Sequence, residues 1–202
     1  MEISPQTRCT AFAGHHRIAS GELRHVALLT RNALERSPHL AILVFDDHTG
    51  REIELDLRGT VADLMKRLDA PGAGMDVAAK APAPAQRNGP GRPRLGVVAR
   101  EVTLLPRHWQ WLSAQPGGAS VALRKLVEEA RRTHAAGDRG RAAQESAYRF
   151  MSAIAGDAPG FEDAIRALFA ADARRFEEHT AHWPDDVREH AQMLAADAFR
   201  EA

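Results

Sequence analysis

Seven side chains in the middle of the chain have the types and spacing to hold a polyanion. Arg92 and Arg94 stand in Gly89-Pro-Gly-Arg-Pro-Arg-Leu-Gly96, and Arg100, Arg107, Ser120, Arg124 and Lys125 follow. Guanidinium and ammonium groups donate charge-assisted hydrogen bonds to phosphate oxygens, and a serine opening a helix adds a hydroxyl beside free backbone N–H groups. Residues 87–134 hold nine Lys and Arg against three Asp and Glu. Residues 1–86 hold ten against eleven, and residues 135–202 hold eight against thirteen. The formal net charge is zero, so the basic centre is a local feature. Such a block is the electrostatic footprint of a nucleic-acid partner. The acidic C-terminal third supports a competing reading, in which the basic centre docks an acidic protein or this chain's own acidic helices.

The elements that position these cations follow from local signals. Residues 98–105 read as a short strand, 107–115 as a helix, Pro116-Gly-Gly118 as a tight turn and 120–132 as a second helix capped by Ser120. A lone strand leaves its backbone groups unpaired unless another edge meets it. The basic segment is therefore expected to form a homodimer through 98–105, or to add itself to the N-terminal sheet.

The flanks complete an α+β chain of four parts. Residues 1–69 are expected to be a small α/β domain. A strand over 10–19 bends at Gly14-His15-His16, and a helix over 22–36 is capped by Ser20 and stopped by Ser37-Pro38. Leu40-Ala-Ile-Leu-Val-Phe45, the turn Asp46-Asp-His-Thr-Gly50 and the alternating Arg51-Glu-Ile-Glu-Leu-Asp-Leu57 predict a β-hairpin, and a helix capped by Thr60 runs to Leu68. Residues 70–96 hold five prolines and five glycines without an aromatic, the composition of a flexible Pro/Gly/Ala linker. Residues 97–134 are the basic strand-helix-turn-helix. Residues 135–202 are a helical region, with helices over 141–155, 161–171 and 172–182 and a fourth restarting at Trp183-Pro184. Tyr148, Phe150, Met151, Ile154, Phe161, Ile165, Leu168, Phe169, Phe176, Trp183, Val187, Met193, Leu194 and Phe199 are its expected core.

Segment 98–132 resembles the ribbon-helix-helix DNA-binding proteins, on Arg100-Glu-Val-Thr-Leu-Leu-Pro106, Trp109 to Gln115, Gly117-Gly118 and Ser120-Val-Ala-Leu-Arg-Lys-Leu-Val127. The resemblance implies two chains pairing their strands into a ribbon that enters the major groove. It also implies phosphate contact at the second helix's N-terminus, and a dimer core of Trp109, Leu112, Leu123, Leu126 and Val127. Alternation puts either Glu101, Thr103 and Leu105 or Arg100, Val102 and Leu104 on the groove face. Neither set is the polar surface that base readout uses, so phosphate binding is the expected mode. Gly91-Arg92-Pro93-Arg94 resembles the core of an AT-hook, with Pro90 where that motif carries arginine. The alternative is a basic linker. Over nearly its full length the chain is similar to an uncharacterised bacterial family, domain of unknown function 2239. That similarity rests on Gly91 to Trp109, Tyr148-Arg-Phe-Met151 and Ala155-Gly-Asp-Ala-Pro-Gly-Phe161, and it implies no activity.

Other chemistry is poorly represented. Cys9 is the single cysteine, which excludes an internal disulfide and multi-cysteine zinc sites. His179, His182 and His190 do not stay in register across Trp183-Pro184, so they read as surface histidines rather than metal ligands, and His15-His16 likewise. Asp46-Asp47 read as turn residues. No nucleophile-elbow, phosphate-loop or dinucleotide-binding glycine pattern occurs. No catalytic residue, cofactor, metal or small-molecule ligand is assigned. The absence of a long apolar run or a signal-like N-terminus points to a cytoplasmic protein. The expectation is a cytoplasmic α+β DNA-binding homodimer, with a protein-interaction or dimerisation role as the alternative. An enzyme using a pocket near Cys9, His15 or Asp46 stands third.

Overall fold

The computed structural model describes residues 3–69, 98 and 100–200. The expected linker, with Arg92 and Arg94, lies outside them. The chain is α+β and divides into two units, residues 1–75 with 136–202 and residues 76–135.

The first unit is organised by a three-stranded antiparallel sheet. Its strands are β1 (Arg8–Ala13), β2 (His16–Glu22) and β3 (Ile42–Asp46), in the order β2-β1-β3. The expected bent strand over 10–19 is in fact two strands joined by a two-residue turn at Gly14-His15. A register shift between Ala11 and Phe12 leaves Ile18 as the extra residue on β2. β1 lies in the middle and buries Cys9, Thr10, Ala11 and Phe12 in succession. Strand alternation splits these residues between two cores. Cys9 and Ala11 join Ala19, Val44, Leu23, Val26, Ala27, Ile53, Leu64 and Leu68 beneath helices α1 (Leu23–Arg36) and α2 (Val61–Leu68). Phe12 and Phe45 join Phe150, Met151, Leu168, Phe176, Trp183, Val187 and Leu194 on the other face. That second core is supplied by the end of α4 (Gly118–Ile154), by α5 (Phe161–Phe169), α6 (Ala173–Thr180) and α7 (Asp185–Ala195), and by a final 3-10 turn, Ala196–Phe199. The first and last segments of the chain thus share one core.

Side-chain caps open α2 and α6. Thr60 and Asp63 form a reciprocal capping box at the start of α2. The Asp172 side chain accepts from the Arg175 N–H at the start of α6. α1 is different. Ser20, the expected cap, lies in β2, and Glu22 holds the N-cap position without a side-chain bond. Hydrogen bonds from Leu23 N–H to Thr7 and from Arg24 N–H to Pro5 satisfy that helix end through the backbone.

Three further expectations are corrected. Residues 51–57 do not form a strand; only the Phe45–Glu52 bridge forms. Ile53, Leu55 and Leu57 pack against the α1–α2 core instead, and Arg67 donates to the Asp56 carbonyl, so side-chain burial takes over from the ladder. The helices expected over 120–132 and 141–155 are one, the 37-residue α4. Gly137 and Gly140 each cost the helix about 1 kcal/mol, but glycine keeps its N–H and does not interrupt the hydrogen-bond ladder. Tyr148, Phe169 and Met193 are exposed rather than core, with Tyr148 and Phe169 packing on each other at 5.8 Å.

The second unit contains α3 (Pro106–Ser113) and the start of α4. Positive φ at Gly117 and Gly118 turns the chain between them. α4 therefore begins at Gly118, and Ser120 sits in its first turn rather than at its cap. Residues 100–105 carry no strand ladder, and Leu105 is extended at φ −64° and ψ 149°. A ladder needs an opposing edge, and none among the described residues meets these.

Gly50 tests how the first unit closes. A β-carbon there would overlap the Ser146 carbonyl of α4, at a backbone φ of +62°. Gly50→Ala is expected to destabilise the protein by on the order of 3 kcal/mol, combining overpacking with left-handed strain. Urea unfolding measures it. Ala171 sits at φ +54° after α5; Ala171→Gly should raise stability by about 1 kcal/mol in the same assay.

Candidate functional site

Arg100, Arg107, Ser120, Arg124 and Lys125 are all exposed in the second unit. Arg124 Nε donates to the Ser120 carbonyl at 3.1 Å, one helical turn back. Among the described residues, none of these four cations pairs with a carboxylate. Arg131, on the same helix, does pair, with Glu128 at 3.5 Å. Arginines of the first unit are commonly paired too, as Arg17, Arg31, Arg149 and Arg188 are. Among the described residues of this unit only Leu112 and Ala122 are buried, while Val102, Leu105, Trp109, Trp111, Leu126 and Val127 are exposed. Of the dimer core implied by the ribbon-helix-helix resemblance, Leu112 is thus used within the chain. Trp109, Leu126 and Val127 are open.

The first unit holds a different arrangement, which sequence reasoning missed. At one end of the sheet, on the face covered by α7, a cleft of about 540 Å³ is lined by Arg8, Thr10, Arg17, Ser20, Asp47, His48, Glu189, His190 and Met193. Its geometry follows from strand register. Thr10 and Ser20 are opposed in the β1–β2 ladder, so their hydroxyls meet at 3.1 Å. Thr10 donates to Asp47 Oδ1 at 2.8 Å, which leaves Ser20 to donate to Thr10. Asp47 is placed by the turn before it. Asp46 is buried and accepts the His48 and Thr49 N–H groups, both at 2.8 Å, while Asp47 N–H donates to the Arg8 carbonyl. The two neighbouring aspartates therefore divide the work, Asp46 holding the turn and Asp47 facing the cleft.

α7 closes the floor. Arg17 fastens β2 to it, donating from its N–H to Asp186 at 2.9 Å and from its guanidinium to Glu189 at 2.9 Å. His190 is 2% exposed, its ring set against Phe12 at 5.3 Å and Phe150 at 4.5 Å between centroids. Its Nε2 has no hydrogen-bond partner and stands 3.9 Å from Asp47 Oδ1. Burial, with the Arg17 charge nearby, lowers the His190 pKa to about 4, so the ring is neutral near pH 7. Burial also raises the Asp47 carboxyl, against the opposing pull of Thr10 and Arg8. Cys9 lies fully buried behind β1, its thiol pushed up to about 12 by burial and by Asp47 and Asp46, which removes it as a nucleophile. His190 is a core histidine rather than the surface one expected, and His182 is exposed. Among the described residues no group of three His, Cys, Asp or Glu could hold a metal. No helix among them is long and apolar enough to cross a membrane.

A family model described as an uncharacterised protein conserved in bacteria, domain of unknown function 2239, matches residues 8–195. That span takes in the cleft and the basic segment alike. No curated protein and no solved structure matches the chain.

The neutral floor of the cleft gives a pH dependence. Unfolded His190 takes up a proton near its ordinary 6.5, whereas the folded ring does so only near 4. The unfolded state thus binds more protons between these values, and stability falls as pH drops from about 6.5 to about 4. His190→Phe, which fits between Phe12 and Phe150, should flatten that slope. The expected difference is on the order of 2–3 kcal/mol across the window, read from urea midpoints of both proteins at each pH.

Proposed function

The chain belongs to the bacterial domain-of-unknown-function 2239 family, and on that premise we propose that it binds duplex DNA as a homodimer, through residues 87–132 and by phosphate contact. The observation that carries this reading is the set of exposed cations, Arg100, Arg107, Arg124 and Lys125, without carboxylate partners among the described residues. Exposed cations that lack a carboxylate partner are available to phosphate, and each contact releases a condensed counterion. Ser120, in the first turn of α4, adds a hydroxyl near the helix end where backbone N–H groups favour anions. Arg92 and Arg94 extend the same basic segment in sequence.

The homodimer is supported by the apolar residues of the same unit. The two side chains buried among the described residues do not sustain a pair of helices, and the exposed Trp109, Trp111, Leu126 and Val127 need cover. A second copy supplies it, and supplies an edge for residues 100–105. The same apolar surface favours a second reading, a dimerisation segment that holds no DNA.

Two measurements decide between them. Binding to random duplex DNA over a salt series should weaken linearly on log–log axes, with about 6–10 phosphates neutralised per dimer. No binding at low salt, with the dimer intact, would leave the dimerisation role alone. Val102→Pro removes a ladder donor and should convert the dimer to monomer in sedimentation; a wild-type monomer would overturn the paired-strand arrangement.

A further inference from the structure

The cleft of the first unit has a lining that is unusual in how charge is distributed. Arg17 and Glu189 neutralise each other at 2.9 Å. Arg8 and Asp47 do not. Both line the cleft and Arg8 acts on Asp47 through space, yet among the described residues they form no ion pair within 4.0 Å. Asp47 spends Oδ1 on Thr10, and among the described residues no hydrogen bond engages Oδ2. One cation and one carboxylate oxygen therefore face a common space without satisfying each other. The buried floor has an unmet need as well, since Nε2 of His190 lacks a partner beside the same carboxylate. An unsatisfied buried polar atom of this kind costs on the order of 1–3 kcal/mol, and such atoms in native proteins mark strain, an unseen partner or a functional site.

We propose that this cleft binds a small zwitterion of the amino-acid type, its ammonium group on Asp47 and its carboxylate on Arg8. The chemistry is selective in both directions. A simple anion would meet Arg8 but also the carboxylates of Asp47 and Glu189, and a simple cation would meet Asp47 but also two guanidinium groups. Only a ligand carrying both charges satisfies the pair at once, and specificity comes as much from the repelled alternatives as from the contacts made. The neutral imidazole under Asp47 adds no third positive charge to oppose an ammonium group. An arriving ammonium also holds Asp47 ionised, against the burial that otherwise raises its pKa. The Met193 side chain at the rim offers apolar contact to a ligand side chain. The volume lies within the range of small-molecule sites. The frame is rigid where it matters, because Asp46 locks the turn carrying Asp47 and the Thr10–Ser20 pair is set by strand register.

The test uses the full chain, with the twenty free amino acids as probes in thermal-shift and calorimetric titrations. Each probe is run beside its N-acetyl derivative, its amide and the carboxylic acid lacking the amine. At least one free amino acid should bind, and removing either of its charges should weaken binding tenfold or more. Asp47→Asn and Arg8→Gln should each weaken it by a similar factor. Asn keeps the bond from Thr10, and Arg8 is an exposed rim residue, so both variants are expected to fold with an unchanged circular-dichroism spectrum. Equal binding of the amine-free acid would make this an anion site and overturn the proposal. Equal binding of the amide would make it a cation site, with the same result, and so would the absence of binding by any amino acid. Duplex DNA affinity, measured in parallel, is expected to be the same for Arg8→Gln as for wild type. The two functional readings therefore fail or survive separately.

Discussion

The structure of the first unit depends on four rings. Phe12 of β1, Phe45 of β3 and Phe150 of α4 meet at centroid distances of 5.0 to 6.2 Å, and His190 of α7 completes the group. Most of these pairs are edge-on or tilted, the arrangements that aromatic quadrupoles favour, and each is worth about 0.5–1.5 kcal/mol beyond its buried area. The cluster joins a strand near the start of the chain to two helices near its end. Without it the sheet would bury one face only, beneath α1 and α2, and α7 would have nothing to lie on. The cleft exists because α7 is held across the end of the sheet.

The same closure explains a tight turn. Asp46 takes two backbone N–H groups into its side chain, and Gly50 brings the loop against the Ser146 carbonyl, where no other residue fits. Arg149 adds a bond to the Thr49 carbonyl at 2.8 Å. The turn is thereby fixed from inside and from outside. Asp47, one residue on, inherits a fixed position from its neighbours and spends little of its own bonding capacity in keeping it.

The second unit obeys different physics. Among its described residues it buries little, exposes several large apolar side chains and carries four cations without carboxylate partners. α4 is exposed all round from Arg124 to His134, which suits a helix stabilised by charge and by partners rather than by a core of its own. At 37 residues it is about 55 Å long. One helix thus carries Arg124 and Lys125 in its first third and Phe150 in its last.

What the sequence determined by itself was local. Thr60 with Asp63, Asp172, and Ser37 before Pro38 set helix ends through neighbours one to three residues away, and the structure keeps all of them. The apolar run ending at Phe45 and the α+β character were legible for the same reason, because periodicity is a short-range signal. Tertiary packing decided the rest. The alternation of 51–57 suited a strand, but the burial of Ile53, Leu55 and Leu57 beside α1 and α2 claimed it. The helices expected over 120–132 and 141–155 run together through Gly137 and Gly140, because each glycine weakens a helix without ending it. Most decisively, the cleft draws on residues 8–20, 47–48 and 189–193. No spacing within any one of these segments shows that Asp47 faces solvent-lined polar groups while Asp46 is locked in a turn, or that His190 lies between two phenylalanines. Those facts belong to a sheet that meets a helix some 140 residues further along the chain, where burial and register, and not local propensity, set the environment of each side chain.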